Sequence, residues 1–329
     1  MSTVLIETQD LKRHFPVRSG LFGTAKLAVH AVDGMSIAIR EQETFALVGE
    51  SGCGKTTLGR LLLRLEEKTS GSVLFRGTDI HTLDEASMRD LRRRMQIIFQ
   101  DPFASLNPRM RVRDILAEPL VTHHRMSPSE LDRRVRELLH LVGLKDDDLG
   151  RYPHQFSGGQ RQRIGVARAL ALHPEFIVCD EAVSALDVSV QAQILNLLND
   201  LQEMFRLTYL FITHDLGVVR QIADRVCVMF LGKAMELGPT DEIFERPLHP
   251  YTKFLIAAVP VPDPRMRGRK REILSGEIPS PVNIPSGCRF HTRCPYARAV
   301  CSKEDPALVT QGDRSFSCHF PLQEGPART

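Results

Sequence analysis

No stretch of this chain stays apolar for the roughly 18 residues that a membrane-crossing helix requires, so no part of it is expected to span a bilayer. The N-terminus, Met1-Ser2-Thr3-Val4, lacks both a basic n-region and an apolar h-region, which argues against a secretory signal. Net charge is only +3 in 329 residues, and no basic recognition module is present, so nucleic acid is not an expected partner. No long internal repeat is found. A chain without a secretory signal is expected in the reducing cytoplasm, where its seven cysteines read as thiols, ligands or core residues rather than disulfides. What remains, 42% hydrophobic and 25% charged residues, is the composition of a soluble globular protein, and 329 residues suffice for one large domain plus a small one, or two modest ones.

Up to about residue 250, short apolar runs alternate with helical periods, the pattern of an α/β domain. Residues 44–48, 176–179 and 209–213 read as buried strands, and 96–99 as another. Residues 55–65 read as a helix with Leu58, Leu61, Leu62 and Leu65 on one face. Ser127 and Glu130 form a capping box with Pro128 at the first helical position. The helix that follows carries Leu131, Val135, Leu138, Leu139 and Val142 on one stripe. A further helix over 189–205 carries Val190, Ile194, Leu197, Leu198 and Leu201. Past residue 250 the texture changes. Residues 259–264 alternate with proline and cannot sustain helix or sheet interior. Residues 265–271 form a charge run expected as a solvated linker, and Pro279, Pro281 and Pro285 keep the chain extended. The division expected is a domain over 1–255 and a smaller C-terminal module over 256–329.

Gly49-Glu50-Ser51-Gly52-Cys53-Gly54-Lys55-Thr56 fits the phosphate-loop pattern and sits between an expected strand and an expected helix. Its glycines let backbone N–H groups converge on phosphate oxygens, and the following helix, which begins with Lys55, Thr56 and Thr57, adds a positive field. Lys55 is expected to reach the β- and γ-phosphates and Thr56 to ligate Mg²⁺. The strand at 176–179 ends in two carboxylates. Asp180 suits an outer-sphere role on Mg²⁺, while Glu181 points differently and can polarise an attacking water. His214 ends the next strand, near the expected γ-phosphate. Gln100 follows the strand at 96–99, and its amide can touch Mg²⁺ or the water.

With Phe156-Ser157-Gly158-Gly159-Gln160-Arg161 between these elements, the set resembles the ATP-binding cassette family over roughly residues 4–250. The resemblance implies a phosphate-loop NTPase core with a helical subdomain over about 101–156, whose junction with the core receives the coupling helix of a membrane subunit. It makes Phe156–Gln160 the signature motif, whose Ser157 and Gly159 bind the γ-phosphate held by the opposite subunit's phosphate loop. Independently, Ser157 can cap the helix that follows and leave its N–H groups to an anion. Residues 184–187, ending in Asp187, resemble the loop that spans the dimer seam. Phe15 matches the position that stacks on adenine; it also reads as a small core aromatic. Residues 11–23, 100–108, 184–193 and 249–252, with the cysteine-bearing tail, narrow the resemblance to dipeptide and oligopeptide importers. Within these, the chain is similar to the second of their two ATPase subunits. Ala182 stands where this subgroup usually has proline, which loosens the backbone after the glutamate without removing a catalytic group. The partners implied are a second ATPase subunit, identical or not, two membrane-spanning permease subunits and, indirectly, an extracytoplasmic peptide-binding protein. The place implied is the cytoplasmic face of the inner membrane. A soluble cassette acting on ribosomes or DNA, and an importer of another solute such as nickel, are the alternatives.

Cys288-x5-Cys294-x6-Cys301-x16-Cys318 can hold a [4Fe–4S] cluster or a zinc ion. The absence of tight cysteine pairs and the family's C-terminal module favour iron–sulfur. His291 and His319 are neighbours able to substitute or tune, and four unliganded thiols are the plain alternative. Cys53, Cys179 and Cys227 read as packing residues, with Cys53 open to alkylation.

Overall fold

The structure is a computed structural model that describes residues 3–17, 27–259, 276–277 and 279–322. The proline-rich and basic stretch at 260–271 and part of the 11–23 segment lie outside them. In chain order the elements begin with β1 (Val4–Pro16), β2 (Ala28–Met35), β3 (Ala38–Arg40), β4 (Thr44–Val48), α1 (Lys55–Leu62), β5 (Ser70–Phe75) and β6 (Thr78–Asp79). Next come α2 (Glu85–Leu91), β7 (Met95–Ile98), α3 (Val112–His123), α4 (Pro128–Leu141), α5 (Gly158–Leu170), β8 (Phe176–Asp180), α6 (Val188–Phe205) and β9 (Thr208–Thr213). The last are α7 (Leu216–Ile222), β10 (Arg225–Phe230), β11 (Lys233–Pro239), α8 (Thr240–Glu245), α9 (Pro250–Ala258), β12 (Val309–Gln311) and β13 (Arg314–Phe316).

Packing divides the chain into two compact units. The first comprises Met1–Thr3, Arg40–Glu43 and Thr82–Ile212. Its strands β7, β8 and β9 are parallel, with Ile98 beside Cys179 and Asp180 beside Ile212. All five residues of β8 are buried, so the strand reads as a continuous apolar run rather than an alternation. Helices α3, α4 and α5 pack on one another, and α5 also packs on β7 and α6. The start of α4 is set by Ser127, whose Oγ accepts from the Glu130 amide at 3.3 Å, and by Pro128 at the first position. Val135, Leu138, Leu139 and Val142 are buried, while Leu131, one turn earlier, is half-buried.

The second unit comprises Val4–Ile39, Thr44–His81 and Thr213–Thr329. One of its sheets runs β2-β1-β5-β6, with β3 on β1. In the other, β10 pairs parallel with β4 and antiparallel with β11, and the tail strand β13 joins β11, placing Phe316 opposite Glu236. The tail therefore shares a core with the strands around the phosphate loop. Val48, Val228, Phe230 and Tyr251 pack in one cluster with Cys288, Phe290 and Cys301. Helix α1 is shorter than its apolar period suggests. It ends at Leu62, Arg64 turns left-handed at φ 49, and Leu65 is carried outside, 50% exposed. On α6 the buried stripe is Ile194, Leu195, Leu198 and Leu201, with Leu195 in place of Leu197.

Candidate active site

The phosphate loop of the second unit leaves β4 at Gly49, where φ is 154. A Cβ there would stand 2.1 Å from the carbonyl oxygen of Met229, and a Cβ at Gly54, φ 107, would stand 1.9 Å from that of Ala31. Only glycine tolerates such close approach to neighbouring backbone at these angles. α1 then starts at Lys55 with no side chain capping its first amides. Those amides are the groups that an anion would satisfy. Lys55 is 5% exposed, and its Nζ donates to the carbonyls of Gly49 at 2.9 Å and Glu50 at 3.1 Å. Ser51 and Gly52 are exposed, and Thr56 and Thr57 are half-buried in the first turn of the helix. Cys53 is buried, and burial pushes its thiol up despite the opposing charge of Lys55, so ready alkylation is disfavoured. Cys179 and Cys227 are fully buried packing residues, the latter pushed up to about 12 by desolvation.

Glu50 is held by two residues outside the loop pattern. Its amide donates to the Tyr251 hydroxyl at 3.0 Å, and its carboxylate receives Arg293 Nη1 at 2.8 and 3.0 Å. Tyr251 lies in the 249–252 segment already singled out, though nothing local connects it to the loop. Arg293 carries no sequence signal at all. Phe15 is half-buried on β1 opposite Val29 of β2, with the Arg13 guanidinium 4.2 Å over its ring. His214 is exposed just after β9, and Asp215 beside it caps α7 by accepting from the Gly217 amide at 2.8 Å.

In the first unit, Asp180 closes β8 and is 5% exposed. Glu181 then adopts φ 47, a left-handed conformation uncommon for a residue with a Cβ. It is held there because its amide donates to the Ile212 carbonyl at 2.9 Å, and its carbonyl accepts from the Ser184 amide at 3.1 Å and hydroxyl at 3.0 Å. Strain of this kind persists only where surrounding bonds over-determine it, and it concentrates at functional sites. Gln100, exposed after β7, donates through Nε2 to Glu181 Oε2 at 2.8 Å.

Ser157 and Gln160 form a reciprocal cap on α5: Ser157 Oγ accepts from the Gln160 amide at 3.3 Å, and Gln160 Oε1 accepts from the Ser157 amide at 3.0 Å. A Cβ on Gly159 would lie 2.3 Å from Val190 Cγ1, and one on Gly158 would lie 3.4 Å from Leu186. Asp187 caps α6 by accepting from the Val190 amide at 3.0 Å. The glycines of the 156–160 motif thus abut the 184–190 turn.

Cys288, Cys294, Cys301 and Cys318 line one cavity, together with His291 and His319. None of the four takes part in a disulfide. Burial pushes Cys288 and Cys318 up to about 11 and raises Cys294, and neighbouring sulfurs add to each shift. Among the described residues, the only three ligand atoms of His, Cys, Asp or Glu within 4.8 Å of one another belong to His14, His30 and Asp33, so no three of the sulfurs are grouped that closely. Zn–S bonds of about 2.3 Å in a tetrahedron require sulfurs nearer than that. Four thiols around one cavity fit a larger cluster in their chemistry. His291 and His319 each have a ring nitrogen within 2.9 Å of a backbone carbonyl, of Cys288 and Glu304 respectively.

The ABC transporter family model matches residues 32–184, and the model of the oligopeptide/dipeptide transporter C-terminal region matches residues 235–301. The oligopeptide transport ATP-binding protein AppF of Bacillus subtilis is 53% identical over 96% of this chain and 97% of its own length. OppF of Salmonella typhimurium, another oligopeptide transport ATP-binding protein, is 50% identical over 96% of each. The di/tripeptide transport ATP-binding protein DppF of Pseudomonas aeruginosa is 48% identical over 98% of this chain and 99% of its own. Among solved structures, the dimeric ATP-binding cassette MJ0796 bound to ADP and Pi superposes with a TM-score of 0.63 at 27% identity, covering 72% of this chain and 99% of that one. Cassette cbiO1 from Clostridium perfringens gives 0.64 at 25% identity, covering 74% and 91%.

Proposed function

The chain belongs to the family of ABC-transporter ATP-binding proteins, and from that premise we propose that it is the ATP-hydrolysing subunit of a dipeptide or oligopeptide importer. The carrying observation is that its relatives named for oligopeptide and di/tripeptide transport align with it almost end to end, cysteine-bearing tail included. Two cassettes, identical or not, would sandwich ATP and act on two membrane-spanning permease subunits, to which an extracytoplasmic peptide-binding protein delivers the solute. No described helix is long and apolar enough to cross a membrane, which suits a peripheral subunit on the cytoplasmic face.

Lys55 and the amides of the loop from Gly49 to Thr57 hold the phosphates, and Phe15 stacks on adenine. By the family's pattern Thr56, Asp180 and Gln100 would hold Mg²⁺, which would neutralise phosphate charge. Glu181 orients and deprotonates the attacking water, and His214 supports the γ-phosphate. Ser157, Gly158, Gly159 and Gln160, with Asp187, serve the partner's ATP. The strained and anchored backbone at Glu181, with Gln100 on its carboxylate, supports the base assignment. Glu181→Gln is expected to bind ATP, hydrolyse it very slowly and accumulate a closed dimer. Near-normal turnover in that variant overturns the assignment.

The domain boundary is placed at 255/256, with residues 256–329 as the oligopeptide-transporter module. Its four cysteines would hold a [4Fe–4S] cluster, which supplies a redox-active or structural centre. Iron, acid-labile sulfide and zinc per chain, measured after oxygen-free purification, test this: about four iron and four sulfide support it, and Cys294→Ser should abolish them. One zinc would make the site purely structural. No metal would refute the cofactor and leave the ATPase reading intact.

A further inference from the structure

The turn between Cys288 and Cys294 carries two arginines that reach into the core of the second unit. Arg289 is 5% exposed; its Nη1 donates to the carbonyl of Leu231, just after β10, and its Nη2 pairs with Asp33 of β2. Asp33 also bonds His14 Nε2 at 3.0 Å. Arg293 has a side chain only 7% exposed, and a single Nη1 meets both carboxylate oxygens of Glu50, the second residue of the phosphate loop.

A third contact comes through the cavity wall. Phe290 lines the cysteine cavity, and its ring lies 5.2 Å from that of Tyr251, which itself lies 4.8 Å from Phe230. The Tyr251 hydroxyl accepts the Glu50 amide proton. Residue 50 is thus gripped at its side chain by Arg293, at its N–H by Tyr251 and at its carbonyl by Lys55, the lysine that serves the phosphates. Desolvating a guanidinium and a carboxylate offsets most of their attraction, so a largely buried pair is poorly explained as a source of net stability. A pair that fixes the shape of an anion-binding loop is better explained by that position.

We propose that Arg293 is a positioning residue for ATP: through Glu50 it holds the phosphate loop in its phosphate-receiving shape, and the state of the four-cysteine cavity therefore sets the loop's affinity for nucleotide. The first half stands on the contacts alone; the second rests on the cofactor reading above. Two of the four thiols, Cys288 and Cys294, bracket the arginine turn. Their ligation would fix that turn, and their release would loosen the grip on Glu50.

Equilibrium binding of a fluorescent ATP analogue to the full-length chain tests the first half, alongside KM for ATP and kcat in the assembled transporter. Arg293→Gln should weaken binding and raise KM by about tenfold, less than the full cost of losing one partner of a buried charge pair because Tyr251 and Lys55 still hold residue 50, with kcat changed by less than about twofold. Arg293→Lys should recover part of the affinity. The double variant Arg293→Gln/Glu50→Gln should lose no more than the worse single one. Unchanged binding in Arg293→Gln, or additive losses in the double, overturns the proposal. If Arg293→Gln does not fold, Arg293→Lys and Glu50→Gln decide through the same binding measurement.

For the second half, removing the metal with a chelator, or substituting Cys294→Ser, should lower ATP affinity in the wild-type background and not in Arg293→Gln. Equal effects in both backgrounds refute the coupling. A chain that never holds metal refutes the coupling and the cofactor reading together, while the Arg293→Gln result still decides the positioning role.

Discussion

Replacing Gly159 by alanine probes the contact between the motif at the start of α5 and the first turn of α6. The added carbon would lie 2.3 Å from Val190 Cγ1, where an ordinary carbon contact is about 3.5 Å or more, so the two helices must part by about 1 Å or Val190 must leave its rotamer. Overpacking of this size costs about 1–3 kcal/mol. Against it stands the helical preference of alanine over glycine, at most about 1 kcal/mol and less at the second residue of a helix. The balance is a destabilisation of about 1–2 kcal/mol, with the N-terminus of α5, the proposed contact to the partner's ATP, displaced as well. Denaturant unfolding of the full chain, followed for both single variants and for Gly159→Ala/Val190→Ala, measures it. Trimming Val190 removes the methyl that clashes, so the double variant should be more stable than the sum of the singles by about 1 kcal/mol or more. Gly159→Ala as stable as wild type, or a cycle additive within about 0.5 kcal/mol, would refute the argument.

Ser157→Arg should leave ATP binding at the chain's own phosphate loop largely unchanged while abolishing hydrolysis at the partner's site. Loss of binding by the isolated chain would contradict action in trans. His249 caps α9, its Nδ1 accepting from the Tyr251 amide at 3.0 Å, and burial lowers its pKa from 6.5 to about 3. The unfolded chain binds a proton there that the folded chain refuses, so this stability is complete above about pH 6.5 and is lost as pH falls. Between pH 7 and pH 5 the loss is about 2 kcal/mol. Unfolding midpoints of wild type and His249→Gln at both pH values should diverge by that amount, and equal pH slopes would sink the assignment.

What could be read from the amino-acid order was whatever depends on spacing within a few residues. The buried strands ending at Val48, Asp180 and Thr213, the caps at Ser127 and Ser157, and the phosphate loop between strand and helix all follow from local period and local chemistry. Even there, local period misleads at the exit of α1: it extends the helix to Leu65, whereas the chain turns left-handed at Arg64. Tertiary packing decided the rest. Arg293 meets Glu50 across 243 residues and Arg289 meets Asp33 across 256. Gly159 abuts Val190, and four widely spaced cysteines line one cavity beside Tyr251. No local rule connects such pairs, because a side chain's partner depends on where the whole backbone path brings its neighbours. The motif residues specify a nucleotide site by their own chemistry, whereas the grip of the tail on that site exists only because β13 joins β11 and Phe290 enters the same core as Phe230 and Tyr251.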